Sequence, residues 1–439
     1  MTTLANLYPN HINELLDRAK TAMKRENLEG LVIHSGKELK VFLDDYGYPF
    51  KVNPHFKHWL PLVDIPNCWL VIKGSDKPTL IYYQPVDFWH KVVELKEDYW
   101  NEFFDIQILT KATDVDKLLP YDKSGLAYLG EHIEVAKALG FTEINPEPLL
   151  NYLHYHRAYK TQYEQECLRQ SNKIAVRGHQ VAAAAFKAGE SEFAIQQAYL
   201  GATEHTANET PYGNIVALNE NTAILHYTAL ERNAPQESRS FLIDAGAQFH
   251  GYASDITRTY AKEQNHFAEL IARMDKLMLN AVDGLKPGVS YVDLHIQTYQ
   301  AIGKVLQEFK ILTGSVESAV EAGVIATFFP HGLGHHLGLQ THDVGGFMAD
   351  ERGTHINSPE QHPFLRTSRV VEANQVFTVE PGLYFIDSLL GELKQSPNAD
   401  MINWQLVEQF KPFGGIRIED NIIVHQSHNE NMTRDLKLN

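Results

Sequence analysis

The sequence predicts a mixed α/β (α+β) protein of two domains, and three observations carry that reading. Its 439 residues, 44% of them hydrophobic, exceed what one core usually organises. The amino-terminal third opens with a helical stripe and runs on into short apolar segments of strand character. The remainder alternates long helical stretches with glycine-bounded strands, centred on Phe241 to Tyr260.

In chain order, Ile12, Leu15, Leu16, Ala19, Ala22 and Met23 recur at helical spacing between His11 and about Glu26. Leu31-Val32-Ile33 follows as a buried strand. Cys68 to Gly74 and Thr79 to Pro85, joined by a Ser-Asp-Lys-Pro turn, read as a hairpin, and Gly125 to Leu129 as a further strand. The aromatic residues crowded between Tyr46 and Trp100, among them Trp59, Trp69, Phe88 and Trp89, are assigned to core by their size. Asn145-Pro146-Glu147-Pro148 marks a break, and a boundary near 155 divides a domain of residues 1–155 from one of 156–439. Lys160 to Lys187 is helical up to Gly189, and Ser191-Glu192 opens another helix through Leu200. No internal repeat is visible.

The charge balance, 39 basic against 55 acidic residues, argues against nucleic acid and against an anionic membrane surface as partners. Two cysteines, Cys68 and Cys167, make neither a disulfide framework nor a thiolate metal site. The first residues lack a basic segment followed by an apolar core, and no apolar run has the length of a membrane span. A cytoplasmic protein is expected.

Phe241 to Tyr260, FLIDAGAQFHGYASDITRTY, is the centre of the second domain. The apolar run Phe241-Leu242-Ile243, a polar tip flanked by Gly246 and Gly251, and a second run from Gly251 read as a β-hairpin. A turn centred between Phe249 and His250 sets Asp244 opposite Asp255. Two carboxylates in one site repel each other unless a cation neutralises them, and a metal is the simplest such cation. A lone aspartate near glycine more often caps a turn, so the reading depends on partners elsewhere.

Three stretches supply them. FFPHGLGHHLGLQTHDVGG, Phe328 to Gly346, threads His331, His335, His336 and His342 between glycines, which let a backbone approach a metal or substrate closely. VFTVEPGLYF, Val376 to Phe385, is an apolar strand with one acid, Glu380, before a Pro-Gly turn. GGIRIEDNIIV, Gly414 to Val424, puts Arg417 and Glu419 on one strand face, where an intrastrand ion pair is the plain alternative. Four carboxylates and an imidazole form a hard, oxygen-rich set whose charge suits two divalent ions, Mn²⁺ above all, with Co²⁺ or Zn²⁺ less selectively bound. Two such ions can hold hydroxide at neutral pH and polarise a carbonyl or phosphoryl oxygen, which points to metal-assisted hydrolysis.

In this order the four stretches resemble the pita-bread metallopeptidases: methionine aminopeptidase, aminopeptidase P, prolidase and creatinase. The resemblance implies Asp244, Asp255, His335, Glu380 and Glu419 as metal ligands. It implies His335 rather than His336 because the family's ligand stands seven residues before a further histidine, here His342. RAYKTQYE at Arg157, NTAILHY at Asn221 to Tyr227, FLDD at Phe42 to Asp45 and YPFKVNP at Tyr48 to Pro54 extend the likeness nearly end to end. These segments resemble bacterial Xaa-Pro dipeptidases, and the marine-bacterial subgroup called organophosphorus acid anhydrolases.

The fold so implied is an amino-terminal α/β domain that helps close the pocket, followed by a curved antiparallel sheet covered by helices. The activity implied is hydrolysis of dipeptides ending in proline, by a hydroxide bridging two divalent metals, with organophosphorus triesters and fluoridates as secondary substrates. Glu380 would serve as general base and then acid, His331 and His342 would stabilise the oxyanion, and Arg366, assisted by His226, would hold the substrate carboxylate. Arg417 would orient Glu419 or nearby substrate groups, Tyr212 would line the pocket, and Asp45 would reach the other subunit's site in a homodimer. Two rivals remain: an aminopeptidase P, which takes longer peptides, and a metal-free binding module of the same fold.

Overall fold

The computed structural model describes residues 2–74, 77–89 and 91–438. Its contacts divide the chain into two compact units. One comprises Met1–Arg157, Thr161–Cys167 and Asp350–Thr354; the other comprises Ala158–Lys160, Leu168–Ala349 and His355–Asn439.

In the first unit a helix spans Thr2–Arg25 and so begins well before His11. Leu4 and Tyr8 are buried in line with Ile12, Leu15 and Ala19, so the apolar stripe runs on across Pro9. Burial of that stripe outweighs the hydrogen bond that proline cannot donate. Strands β1 (Gly30–His34), β2 (Trp69–Lys73), β3 (Thr79–Tyr83), β4 (Asp105–Leu109), β5 (Leu126–Leu129) and β6 (Glu143–Ile144) form one sheet in the order β4-β3-β2-β1-β5-β6. β2 and β3 are the expected hairpin, with Leu70 facing Leu80; in the turn between them Ser75 and Asp76 lie outside the described residues. Val32, Trp69, Ile81 and Tyr128 meet in one apolar cluster. Trp59 and Trp100 are buried too, but Phe88 and Trp89 depart from the expectation of core: both are exposed, with ring centroids 4.5 Å apart.

The second unit repeats one pattern, two helices and then antiparallel strands. Helices Gln162–Ala188 and Glu192–Thr203 precede β7 (Ile215–Leu218), β8 (Ser240–Asp244), β9 (Gln248–Phe249), β10 (Tyr252–Ala253) and β11 (Thr257–Ala261). Gly189 ends the first of these helices at φ +88°, and Ser191 caps the second by accepting from the Ala194 N–H. Helices His266–Gly284 and Tyr291–Glu308, with shorter helices after them, accompany β12 (Val376–Val379), β13 (Gly382–Tyr384), β14 (Gly415–Arg417), β15 (Asp420–Val424) and β16 (Asn429–Asn431). Phe186, Val216, Phe241 and Ile243 fill the space between the first helices and β7 and β8. Met274, Leu306, Phe377, Val379 and Ile422 do so for the second set.

Two details of register differ from the sequence reading. β8 and β11 form the expected hairpin, but Asp244 faces Thr257 and not Asp255. The cause is the tip, where His250 and Gly251 both take positive φ, 50° and 85°. That is the pattern of a two-residue type I′ turn, so the turn centre falls between them. A shift of two residues keeps both aspartates on one face. Gly414 to Val424 is not a single strand either, because it breaks at Ile418-Glu419, with β14 pairing β13 and β15 pairing β12.

Candidate metal centre

Each donor sits where a strand ends. Asp244 closes β8, Asp255 precedes β11, Glu380 follows β12, and Glu419 occupies the break between β14 and β15, where it bridges Thr257. The histidine loop lies along β12. Thr378 N–H donates to the His335 carbonyl at 2.9 Å, and Glu380 N–H to the Leu333 carbonyl at 2.7 Å.

These contacts gather the donors. The ligand atoms of Asp255, His335 and Glu419 all lie within 4.8 Å of one another. His335 Nε2 is 3.3 Å from Asp255 Oδ2 and 3.8 Å from Glu380 Oε1. Its other nitrogen, Nδ1, is 2.9 Å from the His336 carbonyl, which only accepts, so Nδ1 carries a proton and Nε2 is turned toward the acids. Asp244 accepts from the Tyr212 hydroxyl at 2.8 Å and from Arg417 Nη2 at 2.6 Å. The ion pair of Arg417 is therefore with Asp244 across the sheet, and not with Glu419 along its own strand. Glu419 Oε2 instead accepts from the Thr257 hydroxyl at 2.7 Å.

Burial and mutual repulsion dominate the electrostatics. Burial lifts the pKa of Asp244, with Asp255 adding to the rise and Arg417 opposing it. Burial pushes Glu380 up to about 7 against the pull of His335 and Arg417. Glu419 goes well above the usual carboxylate range through burial and then the charges of Asp255, Glu380 and Asp244. Asp255 is the exception: burial would raise it, but the bond and charge of His335 hold it low. His335 is raised in return, Asp255 overcoming the effect of burial.

The remaining expected residues are placed as follows. His336 is buried with its ring 4.6 Å from that of Phe377, and neither ring nitrogen has a partner. His342 stands with its ring centroid 4.3 Å from that of His335. Arg366 and His226 are both exposed, and the charge of each is felt at His342. His331 Nδ1 is 2.8 Å from the Gly332 carbonyl and Nε2 is 2.8 Å from the Tyr384 hydroxyl. Burial lowers its pKa to about 3, so the ring is neutral: Nδ1–H donates to Gly332 and Nε2 accepts from Tyr384. Asp45 lies in an exposed loop of the first unit.

Two residues enter that sequence reasoning missed. The Tyr384 hydroxyl joins His331 to Arg417 Nη1, which donates to it at 2.9 Å. Thr257, besides holding Glu419, is 3.3 Å from Arg417 Nε. The signal for Tyr384 was its position on the Glu380 segment; for Thr257 it was the hairpin register.

Comparison with known proteins accounts for the constellation. Residues 166–426 match metallopeptidase family M24, and residues 6–155 match the Xaa-Pro dipeptidase amino-terminal domain. The Xaa-Pro dipeptidase of Colwellia psychrerythraea is 70% identical over 442 residues, and that of Pseudoalteromonas translucida 62% over 439, each covering 100% of both chains. The chain belongs to the Xaa-Pro dipeptidases of metallopeptidase family M24. Among solved structures, the low-pH form of aminopeptidase P from E. coli is 23% identical with a TM-score of 0.74, covering 98% of this chain and 95% of that one. Proline aminopeptidase P II from Yersinia pestis is 24% identical with a TM-score of 0.70, covering 98% and 96%. At that identity the likeness establishes the fold, an amino-terminal domain followed by the pita-bread catalytic domain.

For an M24 metallopeptidase the donor set fits divalent cations. Four carboxylates, Asp255 and Glu419 buried and Asp244 and Glu380 partly so, face one guanidinium and one imidazole; burial and then mutual repulsion raise three of them, while His335 holds Asp255 low. Oxygen donors with a single nitrogen suit hard or borderline divalent ions.

Proposed function

We propose that the chain hydrolyses dipeptides whose second residue is proline, with two divalent cations, Mn²⁺ foremost, held by Asp244, Asp255, His335, Glu380 and Glu419. The observation that carries this reading is the meeting of Asp255, His335 and Glu419 donor atoms within 4.8 Å, in a chain matched end to end by Xaa-Pro dipeptidases. The cations, when bound, lower the pKa of water and polarise the scissile carbonyl.

The rest falls to the chain's own residues. Glu380, set among the other donors, can take a proton from water and return it to the leaving nitrogen. The only N–H of His331 is committed to the Gly332 carbonyl, so oxyanion stabilisation falls first to His342. Arg366 holds the substrate carboxylate through its planar fork, assisted by His226. Tyr212 and Arg417 fix Asp244 from opposite oxygens. The imide nitrogen before proline carries no hydrogen, so the pocket recognises the two ends of the dipeptide instead of that bond's N–H.

Residues 1–155 serve homodimer formation, the exposed loop that carries Phe42, Asp45 and Tyr46 reaching the site of the other subunit. The two buried, unpaired cysteines suit the cytoplasm, and no helix among the described residues is long and apolar enough to cross a membrane. Organophosphorus triesters and fluoridates are secondary substrates, since a polarised phosphoryl oxygen asks the same of the site.

The test strips metal, restores Mn²⁺ and compares Ala-Pro, Leu-Pro and Ala-Pro-Ala, with Asp255→Asn as control. Metal-dependent cleavage confined to the dipeptides is expected. Equal or better cleavage of the tripeptide would establish an aminopeptidase P instead, and no cleavage with no metal retained would leave a binding module.

A further inference from the structure

We propose that the buried ion pair between Lys160 and Asp343 sets the histidine loop against the other ligand-bearing strands, making Lys160 a positioning residue for the metal centre. Lys160 Nζ lies 2.8 Å from Asp343 Oδ2, and the two side chains are 1% and 0% exposed. Neither residue belongs to the ligand set or touches substrate in the reading above, on which this inference rests.

The pair stands at a junction of the segments that carry the ligands. Asp343 directly follows His342, and its N–H donates to the His336 carbonyl at 2.9 Å, closing the loop from His335 to His342 on itself. Gly338, inside that loop, lies against the pair: a Cβ there would run into Asp343 Oδ2 and into Lys160 Cε and Nζ. The Gly338 carbonyl accepts from the Ala253 N–H at 2.9 Å, two residues before Asp255. The Lys160 N–H donates to the Asn374 carbonyl at 2.8 Å, just ahead of β12 and Glu380. One residue thereby reaches the loop of His335 and His342 through its side chain, the strand of Glu380 through its backbone, and the hairpin of Asp255 through Gly338.

A buried ion pair is a poor way to gain stability, since apolar residues of similar volume do as well or better. What it supplies is direction. Two opposite charges in a dry site fix distance and angle, whereas apolar contacts slide. A displaced His335 loses its 3.3 Å approach to Asp255, and residues that orient ligands typically govern metal affinity and activity by 10–100-fold.

The experiment separates direction from stability with Lys160→Met, Asp343→Asn and the double variant Lys160→Met/Asp343→Leu, each in the full chain. Metal-stripped protein is titrated with Mn²⁺ by calorimetry, kcat and KM are measured on Ala-Pro, and melting is recorded. All three variants are expected to bind Mn²⁺ about 10–100-fold more weakly, with the loss in kcat larger than the change in KM. The double variant is expected to melt close to the parent while remaining weak in metal binding. A stable double variant that binds Mn²⁺ and turns over within about 2-fold of the parent would overturn the proposal, because the pair would then only fill space. Should a single variant not fold, the double variant decides. A parent that binds Mn²⁺ but leaves Ala-Pro intact would instead refute the proposed function, and the Mn²⁺ affinities would still judge the ion pair.

Discussion

Arg417 Nη2 lies 2.6 Å from Asp244 Oδ2, and the same guanidinium reaches the hydroxyls of Tyr384 and Thr257. It balances Asp244 and steadies Thr257, which holds Glu419, and Tyr384, which meets His331. Arg417→Met should weaken Mn²⁺ binding about 10–100-fold. Arg417→Lys should fall between the two, since an ammonium keeps the charge but cannot span three partners. Calorimetric titration of the metal-stripped proteins checks both.

Glu380 is expected to carry the proton in hydrolysis as well as to bind metal. Glu380→Gln, which keeps the size and one oxygen, should lower kcat on Ala-Pro by roughly 10²–10⁴-fold. Steady-state kinetics at saturating Mn²⁺ isolate the proton-transfer loss from loss of metal. A kcat within a few-fold of the parent would remove Glu380 from that role.

Removing metal should add a carboxyl contribution to the pH dependence of stability. The folded-state pKa of Glu380 is raised to about 7, and those of Glu419 and Asp244 are raised by burial. A carboxyl raised on folding contributes stability below its unfolded pKa and loses it as pH climbs through the folded value. Measured against metal-free Glu380→Gln, the metal-free parent should therefore lose up to roughly 3 kcal/mol between pH 5 and pH 8, while the buried histidines His179, His295 and His331, lowered to about 3, give both proteins the opposite slope. Asp255, held low by His335, works in the opposite sense over the acidic range. Mn²⁺ should remove this carboxyl penalty from the parent, which scanning calorimetry of both proteins with and without metal can measure.

Gly246 faces Asp255 across the hairpin, and a Cβ there would collide with the Ser254 carbonyl oxygen and lie 2.9 Å from the Tyr212 ring. Gly246→Ala should cost about 1–3 kcal/mol by overpacking, and should weaken Mn²⁺ binding because the strands must part beside the aspartates. Urea unfolding of the Mn²⁺-loaded and metal-free forms tests both effects.

Arg366→Gln should raise KM for Ala-Pro about 10–100-fold with a smaller change in kcat, as loss of a charged contact to the substrate's end implies. The discrimination between Ala-Pro and Ala-Pro-Ala should shrink with it. An unchanged KM would move the carboxylate site elsewhere.

Three of the five donors were legible because each stands beside a residue that breaks a strand: Gly246 near Asp244, Pro381 after Glu380, and glycines around His335. Their relation across strands was less so. The turn centre hung on whether His250 would accept positive φ, a property that Asn or Asp advertises and histidine does not. Tyr384 and Thr257 escaped notice because their roles depend on neighbours more than 30 and 150 residues away, respectively, in the folded chain. The doubled arrangement of two helices and then strands left no trace in the sequence, since it repeats elements and not residues. Phe88 and Trp89 show the limit of assigning burial from size alone.

The separation of the donors along the chain also sets an order of events during synthesis. Thr257 and the glutamate it holds, Glu419, are 162 residues apart. At 5–20 residues per second a ribosome needs roughly 10–30 s to span that interval. Throughout it Asp244 and Asp255 have left the ribosome's catalytic centre without the partners that would enclose them, so water still solvates them and no charge has yet been trapped. Ion capture is therefore one of the last acts in making the enzyme, and a cell short of divalent metal would accumulate finished chains whose acids are offset only by Arg417 and His335.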